Sequence, residues 1–130
     1  MTHSTLGRRV AKTPAIVVVS EGLTITAFLS SQRRLKEYAI VSVQQPSEVL
    51  RLLKQRPIPL AICDDRALAM RSFELMSAIK RLSPQTHVVL VVPSGSRDQE
   101  RRAKAAGADT YMPMTFTDTR LHILLDNVLG

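Results

Sequence analysis

Two residue patterns alternate along the chain from Ala15 onward, and together they leave few folds open. Residues 15–19, 39–43, 58–63, 87–92 and 110–112 are short runs, most of them continuously apolar and rich in Val and Ile. A strand wetted on one face alternates polar and apolar side chains, so unbroken runs of this length suit strands covered on both faces. Helical spacing fills the intervals. Ile25, Phe28, Leu29 and Leu35 predict a helix over residues 23–37. Val49, Leu50 and Leu53 predict a second, opened by Pro46 and Ser47 and stopped by Pro57. Phe73, Met76 and Ile79 mark a third, with Ser72 as its expected cap. The fourth, residues 97–106, is polar and alanine-rich, and Gly107 stands where a left-handed residue would end it. In the last, from Thr117 or Asp118 to Leu129, the residues Leu121, Leu124, Leu125 and Val128 fall at i, i+3, i+4 and i+7 and form a stripe aimed at a core. Five strands alternating with five helices through short loops require right-handed crossovers, which place helices on both faces of a parallel sheet. The expected class is α/β, a doubly wound five-stranded parallel sheet.

Size and composition agree with one such domain. A chain of 130 residues buries roughly 68% of the surface its unfolded form exposes, enough for an independent core. No apolar stretch approaches the ~20 residues of a membrane span. The opening arginines are not followed by a signal-peptide core, so a cytoplasmic location is expected. The single cysteine, Cys63, lies inside a strand pattern and reads as a small core hydrophobe. The net charge of +7 is uneven: Arg8, Arg9 and Lys12 face no acid in residues 1–20, and the rest of the excess lies on predicted helices. Residues 1–14 read as a flexible basic extension and residues 15–130 as the folded domain.

A basic balance alone does not make a nucleic-acid binder. The chain offers no helix-turn-helix, no aromatic platform among two Tyr and three Phe, and no base-reading signature. An enzyme is disfavoured as well, because His3, His87 and His122 are scattered and give neither metal-ligand spacing nor a nucleophile–base pair.

In doubly wound sheets functional groups collect at the carboxyl ends of the strands. Here those ends carry Ser20-Glu21, Asp64-Asp65, Val92-Pro93-Ser94 and Met114-Thr115. Together with the run Ala105-Ala106-Gly107-Ala108-Asp109-Thr110-Tyr111-Met112 and the aromatic Phe116 beyond it, they resemble the receiver domain of bacterial two-component response regulators. The resemblance extends from about Ala15 to the end of the chain. It implies a flavodoxin-like sheet of strand order 2-1-3-4-5, with Asp64 at the phosphoacceptor position.

Around Asp64 the chain departs from that family. Receivers place two adjacent acids after the first strand to hold Mg²⁺, a hard cation that prefers several oxygen ligands. Ser20 replaces one of them, which leaves Glu21 and Asp64 as weak Mg²⁺ ligands. Val92 stands where a Thr or Ser would bond the phosphoryl group, and Met114 where a Lys would pair with it. Arg66, two residues past Asp64, is placed to supply a permanent cation to the pocket. The resemblance therefore implies a phosphorylation-degenerate receiver, a protein-interaction module in signal transduction. The alternative is a working Asp64 phosphoacceptor in a histidine-to-aspartate relay, and a basic nucleic-acid-binding module ranks below both. Expected partners are proteins: a histidine kinase, an output domain or another regulator. A homodimer would use the face of the fourth helix, fifth strand and fifth helix, lined by Arg97, Arg101, Arg102, Lys104 and Tyr111.

Overall fold

The structure is a computed structural model that describes residues 13–68, 72–113 and 118–130, with the backbone alone for residues 67 and 68. Five strands, β1 (Ala15–Val19), β2 (Ala39–Val43), β3 (Leu60–Asp64), β4 (His87–Val92) and β5 (Thr110–Pro113), form one parallel sheet in the order β2-β1-β3-β4-β5. The register runs Val17↔Val41 and Val17↔Ala61 on the two sides of β1, then Ile62↔Val89 and Val91↔Met112 toward the far edge. Strand β3 is central, and its Leu60 and Ile62 are buried, as expected of the middle of a doubly wound sheet.

Alternation along each strand divides the core between two faces. Val17, Val19, Ala61, Cys63, Leu90 and Val92 lie on one face, with Val49, Leu75, Met76, Ile79 and Ala103 from the helices above them. Ile16, Val18, Leu60, Ile62, Val89 and Val91 lie on the other, with Ile25, Leu29, Leu121, Leu124 and Leu125. Each fully buried side chain of this kind contributes roughly 1.5–3 kcal/mol relative to exposure. Two such layers therefore explain why the strand runs carry no polar alternation. Cys63 is one of the buried residues, and burial pushes its thiol up to about 12, which keeps it an inert packing group.

The helices follow their local signals with one exception. Helix α1 is Thr24–Ser30, half the length that its apolar spacing suggests, and a separate 3₁₀ turn, Arg33–Leu35, brings Leu35 to the core. The Ser31 hydroxyl donates to the Phe28 carbonyl at 2.7 Å and the Gln32 amide group to the same oxygen at 3.3 Å, so side chains take an acceptor that a longer helix would use. Helix α2 (Pro46–Gln55) starts at its proline, and the Glu48 carboxylate accepts from the Gln45 N–H at 3.3 Å. It stops where Arg56, extended ahead of Pro57, leaves the helical region. Helix α3 (Ser72–Leu82) includes Ser72, whose hydroxyl donates to Asp65 Oδ1 at 2.6 Å and so ties the helix to the end of β3. Helix α4 (Arg97–Ala106) is capped by Ser96, which accepts from Gln99 N at 3.1 Å. Gly107 follows at φ +128°, where an added Cβ would also stand 3.2 Å from the Met76 carbonyl oxygen. Helix α5 is Asp118–Leu129. Before β1, Thr13 O accepts from Arg56 Nε and Pro14 O from Ala39 N, while residues 1–12 of the expected extension lie outside the described residues.

Candidate functional site

The carboxyl edge of the sheet gathers the polar residues. Val19 pairs with Cys63, so the next residues along these neighbouring strands, Ser20 and Asp64, end side by side. Asp64 is only 1% exposed. A buried carboxylate needs partners, and Asp64 has them on both oxygens. Oδ1 accepts from the backbone N–H of Arg66 at 2.9 Å and from Arg66 Nε at 3.5 Å. Oδ2 accepts from Arg66 Nη2 at 3.3 Å and from the Ser20 hydroxyl at 3.4 Å. A one-turn helix, Asp65–Leu68, folds the chain back at this point and carries Arg66 across the carboxylate. The guanidinium remains more than half exposed, so it covers the acid from the solvent side. Ser20 is itself held in place, its hydroxyl oxygen accepting from Gly22 N at 3.2 Å.

The other expected members do not join this cluster. Glu21 is exposed and makes no hydrogen bond or ion pair among the described residues. Val92 is fully buried, one residue beyond the Val91 that pairs with Asp64, and it lies in the core on the α3–α4 face. Strand alternation thus turns it away from the face on which Ile62 precedes Asp64. Met114, the position of the expected lysine, lies outside the described residues.

Mg²⁺ demands near-octahedral oxygen ligation, usually from one or two carboxylates with several waters. Here the buried carboxylate is already engaged by a cation and a hydroxyl, and Asp65 is held by Ser72. No group of three acidic, His or Cys side chains among the described residues is placed to hold a metal. The donor set does not fit Mg²⁺ in this arrangement. Asp64 is paired with Arg66, the residue read from the sequence as a pocket cation, and Glu21, the other carboxylate read as a Mg²⁺ ligand, makes no contact with it among the described residues.

The second expected site is the helical face. On α4, Asp98 receives Arg101 at 3.2 Å and Arg102 at 3.4 Å, and Glu100 receives Lys104 at 3.1 Å. These are exposed pairs of i, i+3 and i, i+4 spacing, each worth about 0–1 kcal/mol. Arg97, Glu100, Arg101 and Lys104 line one open cleft, and Arg97 and Glu100 with Gly95, Tyr111, Pro113 and Arg120 line another beside it. Arg102 lines neither. Tyr111 is half-buried, its hydroxyl donating to Gln99 Oε1 at 2.9 Å. Its ring lies so close over Gly95 that a Cβ there would be 2.7 Å from Cε2. Arg120 belongs to this face although no motif in the sequence marks it.

No protein-family model and no curated protein sequence matches the chain. Solved structures do. A response regulator from Thermotoga maritima superposes with a TM-score of 0.75 at 20% identity, covering 91% of this chain and 99% of that one. The beryllofluoride-activated NtrC4 receiver domain dimer gives 0.73 at 21%, over 88% and 94% of the two chains. An orphan response regulator of H. pylori gives 0.75 at 14%, over 91% and 98%. No helix among the described residues is long and apolar enough to cross a membrane. The strand order, the acid that closes the central strand and these superpositions agree on one architecture: the chain has the flavodoxin-like fold of response-regulator receiver domains.

Proposed function

We propose that residues 15–130 act in signal transduction as a phosphorylation-degenerate receiver, a protein-interaction module with one working conformation, and that residues 1–14 are a basic extension to it. The observation that carries this reading is the state of Asp64. Its two oxygens are occupied by Arg66 and Ser20, which are part of the chain and always present. A switch requires interactions that differ between two states. A tethered guanidinium supplies the same charge in both, and Val92 has no hydroxyl to bond a phosphoryl oxygen. The buried setting of Val92 supports the same reading, since moving it toward Asp64 would take an apolar side chain out of the core. Protein partners, a kinase, an output domain or another regulator, fit a module of this kind better than a substrate does.

Beryllofluoride with Mg²⁺ mimics an aspartyl phosphate, and amide spectra recorded during its addition test the proposal. The expected result is no saturable shift spreading from Asp64 to α4 and β5. Such a shift would establish the working-phosphoacceptor alternative instead.

A further inference from the structure

We infer that the amino end of the sheet, opposite the edge that carries Asp64, holds a binding site for a small amphiphilic acid, with its carboxylate between Arg33 and Lys36 and its apolar chain laid across Tyr38 toward Pro57 and Pro59. The site shares no residue with the Asp64 cluster, so its occupancy does not depend on how Asp64 is used.

Two clefts meet there. The first, of about 450 Å³, opens between the end of α1 and the start of β2, where the 3₁₀ turn Arg33–Leu35 takes over from the short helix. The buried Leu29 and Leu35 and the half-buried Ile40 line it together with the exposed Arg33 and Lys36. The Lys36 N–H donates to the Arg33 carbonyl at 3.2 Å, the bond of 3₁₀ geometry, in which side chains three apart eclipse and both cations rise on one side. Tyr38 lines this cleft and also the second, of about 430 Å³, whose other walls include Pro14, Pro57, Ile58 and Pro59 and no charged residue. Both volumes lie in the range of small-molecule sites. The three prolines have no N–H to offer, and their carbonyls are already used. Pro14 O accepts from Ala39 N at 3.0 Å, Pro57 O from Ala15 N at 2.9 Å and Pro59 O from His87 N at 2.9 Å. Such a wall gives a peptide backbone nothing to bond, and it fits a hydrocarbon chain.

The charges around the clefts favour an anion. Neither Arg33 nor Lys36 has an ion pair among the described residues, and no acid lines either cleft. Of the neighbouring charged residues, Arg34 is committed to Asp126, Arg56 Nε donates to the Thr13 carbonyl, and the exposed Glu37 lines neither cleft. A helix carboxyl end repels anions through its open carbonyls, but those of α1 are occupied. The Ser31 N–H donates to the Ala27 and Phe28 carbonyls at 3.1 and 3.2 Å and the Gln32 N–H to the Leu29 carbonyl at 3.1 Å. The Tyr38 hydroxyl has no hydrogen-bond partner among the described residues, which leaves it a donor where the two clefts join. Residues 1–12, with Arg8, Arg9 and Lys12 and no acid, have the wrong charge for this groove. A second copy would set Arg33 and Lys36 against themselves across a two-fold axis. A single acid with an apolar chain matches both halves.

The test titrates the isotope-labelled full chain with decanoate below its micellar concentration and with decyltrimethylammonium, which has the same chain and the opposite charge. An extended peptide of alternating Glu and Leu and vesicles of phosphatidylglycerol complete the series. Decanoate is expected to shift saturably the amides of residues 30–33, 35, 36, 38 and 40 and, through its chain, those of residues 58, 83 and 85. In the double variant Arg33→Gln and Lys36→Gln, at two exposed positions, its affinity should fall by about tenfold or more, the scale of losing charge-assisted contacts, with the thermal midpoint unchanged. Decyltrimethylammonium binding as tightly as decanoate overturns the inference, as does a variant that keeps the parent affinity, a shift map that omits either cleft, or no saturable shift at all. Tighter binding of the Glu–Leu peptide at the same residues would assign the groove to a protein partner, and binding to the vesicles without any to free decanoate would assign it to a membrane surface; either outcome overturns the small-acid site.

Discussion

The two ends of the sheet hold their polar groups in different ways. At the amino end, Thr86 is fully buried, its hydroxyl donating to the Ile58 carbonyl at 2.6 Å and lying 2.7 Å from the Ser83 hydroxyl. Lys80 Nζ donates there to Asp109 Oδ2 and to the Thr86 carbonyl, both at 2.8 Å, and to the Pro84 carbonyl at 3.2 Å. Asp109 also accepts from Val88 N at 2.8 Å, and His87 meets Thr110 at 2.8 Å. At the carboxyl end, the Ser20 and Arg66 side chains reach Asp64 at 3.3 to 3.5 Å, and the Arg66 backbone N–H at 2.9 Å. Hydrogen bonds weaken as they lengthen past about 3.2 Å. The amino end is a tight clasp that fixes helix α3 and the start of β5 to the sheet. The carboxyl end neutralises a buried acid through longer side-chain contacts from the same chain, beside one short backbone bond.

Removing one hydroxyl from each end gives the largest predicted contrast. Thr86→Val keeps the side-chain shape and deletes two short bonds, one of them fully buried, and should cost about 2 kcal/mol by chemical denaturation. Ser20→Ala deletes one long contact and should cost less than about 0.5 kcal/mol. Equal losses would show that the distances do not rank the two ends.

The cations sharpen the comparison at a smaller scale. Lys80→Met removes three donor contacts from a side chain about a quarter exposed, and a loss of about 1–2 kcal/mol is expected once solvent screening is allowed for. Arg66→Met should cost about 1 kcal/mol or less, because that guanidinium is more than half in water. The same variant frees the Asp64 carboxylate, so Mg²⁺ should shift the amides of residues 20–21 and 64–66 in it and leave the parent protein unchanged. A parent response as strong as the variant's would mean that the guanidinium does not compete for the site.

The smallest effect is in pH. Burial of His87 lowers its proton affinity below the ordinary value of 6.5, and neighbouring Lys80 adds to this while Asp109 opposes it. The unfolded chain then binds the proton more readily than the folded one. The stability due to neutral His87 is complete above 6.5 and declines as pH falls through 6.5 toward the lower folded value. For Asp109, burial acts to raise the pKa but is outweighed by the Lys80 and Val88 hydrogen bonds and by the charges of Lys80 and His87, so the net direction is below 3.8. Its contribution is present above 3.8 and is lost as pH falls further. Acid unfolding should therefore show two weak steps, and His87→Gln should remove only the upper one. An upper step that persists in this variant would assign it to another group.

The strands and most of the helices were legible in the residues because their causes are local. Continuous Val and Ile runs need cover on both faces, Pro46 and Pro57 bound α2, and Gly107 ends α4 with a backbone angle that other residues avoid. The length of α1 was misjudged for an equally local reason, since the Ser31 and Gln32 side chains reach a carbonyl that apolar spacing does not register. Asp64 and the cation of Arg66 could also be singled out by position, as could the hydroxyl missing at Val92. What the sequence by itself determined is the sequence of elements and the residue types at the strand ends. Tertiary structure alone decided that Arg66 folds onto Asp64 while Glu21 stays in solvent, that Val92 turns into the core, and that α5 sends Asp126 toward Arg34. The physical reason is reach. Periodicity, capping and turn chemistry act over a few residues, whereas Ser20 and Asp64 meet across 44 positions only because β1 and β3 lie side by side in one register. Which flank of a helix faces which neighbour is set by the packing of both layers at once.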